Sequence, residues 1–493
     1  MAIIPFQPYG PDQNGLSPDF AFEALNVIPT AKGYRPFSSF ASIASAITAR
    51  AQGAISVRDI AGNIFNFCGD ATKLYKMASA GTSWSDVSRT VGGAYSTPAG
   101  GWWVFWRYGT YVFASNGVDA LQVFNLASST NFAAASGSPP VATFGMTVRD
   151  FAVVMRVSTA WNRVQWSGLG DPTTWVASAT TLSDSQDLAD GGAIMGGVGG
   201  EYAVIIQENA YQRMVFEGPP TAFRFDKITS FLGCRAEGSI NSYRDLVFVY
   251  ADDGIKMIRG GQEIVDIGSE LIDRFLETDV DASYLYRITS AIDPINKLYI
   301  MGYASTSATS GTPDSAIIYH WPTGKWSRAE FTHEIVYSAM TQSGYTLDGL
   351  DAVSGSLDAL AHSLDSRIWT GSGRLLLAGF NSSHQAGFFS GSYMAATLET
   401  GDAQLIDGKK ALVRQVRPII QGNSVTPSVT IRSRNHMHSA LVDSATVPIN
   451  RNGICPFRVN ARFHRAKVSI PAASDWQHAI GVGDIVASPM SGI

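Results

Sequence analysis

The residues best suited to chemistry are three histidines in one stretch. His436 and His438 are two apart, so on a strand they point the same way, and His464 lies nearby. Three imidazoles could hold zinc. No Asp, Glu or Cys stands at ligand spacing beside them, however, and the flanking arginines oppose a cation, so a wet strand face is the better account. Carboxylate pairs come next, because glycosidases work with two. Asp252 and Asp253 fall in a polar turn, where Asp bonds to its own backbone. Asp279 and Asp281, in "ETDVDAS", read as the flank of a strand. The phrase "GDPTTW" differs from an Asp-box, since its Trp comes one residue early and the Gly is missing. "GGAIMGGVGGEY" (residues 191–202) runs into an apolar strand rather than a helix, so it reads as a connecting loop and not a phosphate cradle. Cys68, Cys234 and Cys455 are odd in number and widely spaced, as buried free thiols are. The expectation is a protein that is not an enzyme, with no catalytic residues, cofactor or metal.

Charge gives a stronger signal. From Lys409 to Lys467 there are eleven Lys and Arg against one acid, Asp443, a local charge of +10. The whole chain carries 36 basic and 41 acidic residues, so the remainder stands at −15. Arg432, Arg434, Arg458, Arg462 and Arg465 make this stretch a candidate partner-docking face, because planar guanidinium suits carboxylate or phosphate. Three readings stay open: docking of an acidic protein, contact with a nucleic-acid backbone, or a solvated face without a partner.

These residues must be carried by strands. Three segments share one grammar of apolar strand, polar turn and apolar strand: "RYGTYVFASNGVDALQVF" from Arg107, "GEYAVIIQENAYQRMVF" from Gly200 and "YRDLVFVYADDGIKMI" from Tyr243. A turn followed by one large apolar residue recurs at Trp84, Phe132, Trp175, Phe223, Ile264 and Trp326, at separations of 48, 43, 48, 41 and 62 residues, and Trp369 follows 43 residues later. A period in the forties with about four short strands predicts an all-β chain built on a β-propeller of six to eight blades, with each aromatic on an outer strand. The expected organisation is an extended N-terminal segment over 1–45 joining the propeller, the propeller with loop insertions over 46–386, and a basic β-sandwich-like module over 387–493. Helix is scarce: Ser269 to Leu276 could form one short helix, and the Leu-rich stretch from Leu347 a loop or broken helix.

Only 16% of residues are charged and 48 are Gly, which suits a turn-rich β chain. No apolar run nears the ~18 residues of a membrane helix. The N-terminus has no basic start and is broken by Pro5 and Pro8, so no secretory signal is expected and the chain should be soluble and made in the cytoplasm.

Four phrases taken together, "ALNVIPTAKGYRPF", "VQWSGLGDPTTW", "ATLETGDAQLIDGKKALVRQVRPII" and "ARFHRAKVSIPAASDWQHAIGVGD", resemble tail structural proteins of short-tailed bacteriophages, of the nozzle or packaged-DNA-stabilisation type. The resemblance spans most of the chain. It implies a virion tail component, assembled in the host cytoplasm as a homo-oligomeric ring, usually a hexamer, below the portal and adaptor. Such a ring retains the genome, passes double-stranded DNA without reading its sequence and docks tail fibres; it has no membrane partner. The alternative is a receptor- or glycan-binding propeller, for which Trp102, Trp103 and Trp106 in "GWWVFWRYG" are candidates, although such residues are more often strand core.

Overall fold

The structure, a computed structural model, describes residues 3–16, 19–79, 81–341, 354–356, 360, 364, 369 and 374–490. Seven antiparallel four-stranded units follow one another as blades: residues 54–86, 104–134, 142–187, 194–229, 241–266, 289–330, and 335–393 completed by a strand from the N-terminus. Their first strands stand side by side around an axis, for example Val104–Tyr108 beside Ala142–Val148 and Thr289–Asp293 beside Ile335–Met340. The protein is a seven-bladed β-propeller carrying a β-sandwich.

Blade stacking explains the sequence pattern. A middle strand packs against a neighbouring blade on both faces, so Tyr202–Gln207 and Leu246–Ala251 are buried almost throughout and read as unbroken apolar runs. The core is accordingly divided into slabs between blades. Val57, Phe67 and Leu74 of blade 1 meet Val112, Phe124 and Phe132 of blade 2, and Phe151 and Trp166 of blade 3 meet Ile205 and Phe223 of blade 4. The three hairpins read from sequence are the second and third strands of blades 2, 4 and 5.

The aromatics divide into two groups. Trp84, Phe223, Ile264 and Trp326 lie on outer strands, and Phe132 immediately precedes one. Trp175 does not: it sits in the long connection before the outer strand Asp184–Asp187, buried beside Trp106 and Val154, where blades 2 and 3 meet. Trp369 lies between the first two strands of blade 7, packed with Ala339, Ala378 and Phe388. Both keep the period because long connections sit where other blades have short turns. The helix is Asp273–Asp279, later than read, since Asp12 accepts from the Arg274 and Phe275 N–H groups and fixes its first turn. The Gly-rich phrase contains the inner strand of blade 4, Ile194–Val198. Most of the Leu-rich stretch from Leu347 lies outside the described residues.

The chain ends braid the molecule together. Strand Ser38–Ala46 pairs with Gln385–Tyr393 and closes blade 7. Residue 387 therefore lies within a blade strand, where a Cβ on Gly387 would stand 2.1 Å from the Ala41 carbonyl oxygen. Strand Glu23–Leu25 inserts between the outer strand of blade 6, Lys325–Glu330, and strand Ala396–Glu399 of the sandwich. One ten-stranded sheet thus runs from the propeller into the sandwich. The second sandwich sheet holds the long pair Lys410–Ser424 and Asp475–Met490, flanked by strand Cys455–Ala461 on one side and the N-terminal hairpin of Val27–Pro29 and Tyr34–Pro36 on the other. Val413, Val429, Val468 and Trp476 between the sheets belong to the same apolar core as Tyr299 and Trp326 of blade 6.

Candidate functional site

The five candidate arginines occupy two different places. Strands Ser428–Arg434 and Phe463–Ile470 pair with Arg432 directly opposite Arg465, which puts two like charges side by side. Carboxylates offset the repulsion. Glu399 accepts from Arg432 at 2.9 Å and from Arg465 at 3.3 Å, and Asp443 takes the other side of Arg432 at 2.8 Å. Asp402 accepts from Arg465 Nε at 2.9 Å and also from Arg434 Nη2. The result is an alternating chain, Asp443, Arg432, Glu399, Arg465, Asp402, Arg434, whose charges cancel. Glu399, Asp402 and Arg465 are buried, at 2%, 4% and 8% exposure. Phe22 from the N-terminal segment stacks on the Arg465 guanidinium at 4.1 Å. Charges this deep persist because every one is paired. Glu399 and Asp402 lie just upstream of the basic stretch from Lys409 to Lys467, so its local charge of +10 does not include the carboxylates that neutralise these arginines.

Arg458 and Arg462 are different. Both are exposed, as is Arg414 on the adjacent strand, and none makes an ion pair among the described residues. Arg458 lies on Cys455–Ala461, the last strand of its sheet, together with Pro456. Lys or Arg and Pro on an edge strand discourage unwanted strand pairing.

The other candidates are engaged locally. Asp253 and Asp266 pair with Lys256 at 2.9 and 2.6 Å. Asp279 accepts from the Tyr303 hydroxyl at 2.6 Å, and Asp281 from the Ser283 N–H at 2.9 Å. A small acidic cleft of about 230 Å³ gathers Asp252, Asp253, Glu270, Asp273 and Glu277. Burial pushes the Asp273 carboxyl up to about 6. His436 and His438 stack with ring centroids 5.3 Å apart. His464 is turned into the sandwich, where burial pushes its pKa down to about 4. No group of three or more His, Cys, Asp or Glu among the described residues could share a metal ion. The three cysteines are buried and free. Trp103 and Trp106 are core residues. The indole N–H of Trp102 donates to the Tyr286 carbonyl at 2.9 Å, and Arg50 lies over the Trp102 ring. That bond joins the connection between blades 1 and 2 to the one between blades 5 and 6, nearly opposite in a seven-fold arrangement, and so bridges the propeller axis.

A second, larger concavity was not anticipated from sequence. It measures about 990 Å³ and opens where blades 6 and 7 meet the sandwich, with Arg35, Asn296, Phe389, Tyr393 and Trp476 among its walls. Nothing in "KGYRPF" marks Arg35 as a residue with a role.

No known protein family matches the chain, and no curated protein does. Among solved structures, the extracellular domain of the hybrid two-component system BT4673 of B. thetaiotaomicron aligns over 86% of this chain and 48% of its own, at 11% identity and a TM-score of 0.40. This chain thus spans about half the length of that protein. A chain of the mitotic checkpoint complex aligns over 73% of this chain and 96% of its own, at 8% identity and a TM-score of 0.38. YCF48 bound to a D1 peptide aligns over 61% and 87%, at 11% identity and a TM-score of 0.37.

Proposed function

We propose that the chain is a mechanical component of a short-tailed phage tail, of the nozzle type. In this reading it forms a ring below the portal and adaptor, extends the DNA channel, holds the genome until ejection and offers a docking face for tail fibres. The observation that carries the reading is the braid of the chain ends. A ten-stranded sheet couples propeller and sandwich through backbone hydrogen bonds, so load passes between them without a flexible linker. Three of the four candidate carboxylates, Asp253, Asp279 and Asp281, and three of the five candidate arginines, Arg432, Arg434 and Arg465, are committed to internal bonds, as suits a scaffold. Because the Trp102 to Tyr286 bridge spans the propeller's own axis, DNA would pass along the axis of the ring of copies. A net −15 outside the basic stretch favours passage over retention of phosphates.

Solution mass measured together with negative-stain images of the purified chain tests this. A closed ring, six-fold by the resemblance, is expected. A protein that stays monomeric at high concentration and fails to join tail particles would overturn it.

A further inference from the structure

We propose that the 990 Å³ cleft between blades 6 and 7 and the sandwich is a binding site for an acidic saccharide, with Arg35 recognising the sugar carboxylate. Its volume lies at the upper end of the roughly 300–1,000 Å³ usual for small-ligand pockets, and such pockets favour junctions between domains. Five segments build it: the N-terminal hairpin, the first turn of blade 6, the second and third strands of blade 7 and the residues opening strand Asp475–Met490.

Arg35 is the polar centre. Asp293 accepts from the Ile295 and Asn296 N–H groups at 3.0 and 3.1 Å and from Asn296 Nδ2 at 2.7 Å, which fixes that turn. Asn296 Oδ1 in turn accepts from Arg35 Nη2 at 3.3 Å. The guanidinium is therefore positioned by a neutral group. It makes no ion pair among the described residues, and its buried Nε has no hydrogen-bond partner in the protein. This contrasts with Arg432, Arg434 and Arg465, each of which holds a carboxylate. Planar guanidinium with unused donors suits a bidentate carboxylate.

The two acids in the wall do not compete for it. Asp293 is taken up by its turn, and Asp475 accepts from Asn423 Nδ2 at 2.8 Å. The wall carries Asp293 and Asp475 beside Arg35 and His478; positive charge nearby comes from Lys297 and Lys325, which with Arg35 add to burial in holding the His320 pKa below its ordinary value. The remaining walls match a sugar rather than a bare anion. Half-buried Phe389 and Tyr393 offer ring surface for C–H faces, and exposed Gln477 offers an amide for hydroxyls.

The site does not depend on the tail reading; ring formation and sugar binding can fail separately. The test is calorimetric titration of the full chain with trigalacturonate, with maltotriose and inorganic phosphate as comparison ligands. Saturable binding of the uronide is expected, at least tenfold tighter than of either comparison ligand. Arg35→Ala should weaken it roughly tenfold or more, the cost of losing one charge-assisted contact. Arg35→Lys, which keeps the charge without the fork, should fall between, and it carries the test if Arg35→Ala melts early. Tyr393→Ala should also weaken binding, whereas Arg458→Glu, far from the cleft wall, should not. Absence of saturable uronide binding, equal binding of maltotriose, equal binding of phosphate, or unchanged affinity in both Arg35 variants would each overturn the proposal.

Discussion

Charge means something different at each arginine of the basic stretch. Asp402 is buried and serves both Arg434 and Arg465, so Asp402→Ala leaves Arg434 in a dry site without a counter-charge and Arg465 with the Glu399 carboxylate alone. We expect it to cost about 3–5 kcal/mol in denaturant melts. Arg458→Ala, at an exposed site without a partner, should stay within about 0.5 kcal/mol. Equal costs for the two would contradict the division between internal and edge arginines. Histidine behaves similarly. His333 and His464 are buried, and burial lowers both to about 4. Each is a base whose folded pKa lies below its unfolded one, so the unfolded chain binds more protons between about pH 6.5 and 4. Stability is therefore lost as the pH falls through that window, by on the order of 2–3 kcal/mol per fully buried ring. Asp273, raised to about 6, acts in the opposite direction by losing stability as the pH rises towards 6. A His333→Gln, His464→Gln double variant should show a visibly shallower loss between pH 6.5 and 4.5 in thermal melts. An unchanged slope would mean that neither ring is buried neutral.

Among the elements, the strand that closes blade 7 is the most exacting. Gly387 faces the Ala41 carbonyl with no space for a methyl group, and Phe40 lies 2.6 Å from the same point. Gly387→Ala must push strand Ser38–Ala46 outward, and overpacking of this kind costs about 1–3 kcal/mol. Limited proteolysis checks it: cleavage should appear first around residues 38–46, whereas a variant as resistant as the parent would show that the strand contact is looser than described. The elements also show which repeat signals were legible. The hairpins of blades 2, 4 and 5 could be read because middle strands are apolar on both faces. The dipeptide Arg-Asp opens the first turn of blades 1, 3 and 5, at Arg58-Asp59, Arg149-Asp150 and Arg244-Asp245, and marks the repeat as well as the aromatics do. Trp175 and Trp369 kept the spacing without the position, because spacing counts residues and cannot distinguish an outer strand from a long connection.

For the molecule as a whole, the shared ten-stranded sheet and the common core around Trp326, Val429 and Trp476 leave no boundary at which the sandwich can melt alone. Calorimetry should give one cooperative transition for propeller and sandwich. Two well-separated peaks would contradict the coupling.

Periodic apolar strands, turn residues and a low share of charge were enough to specify a propeller with a further β module, because those features act locally and repeat. The number of blades waited on the tertiary structure, since the seventh is completed by a strand from the other end of the chain. The fate of the arginines was also settled only in three dimensions: Glu399 and Asp402 neutralise them across strand pairings that no linear tally contains. The cleft around Arg35 belongs to the same class, drawing its walls from segments that run from Ile28 to His478. Local physics writes the elements into the sequence, whereas long-range pairing decides which charges remain free and where a cavity opens.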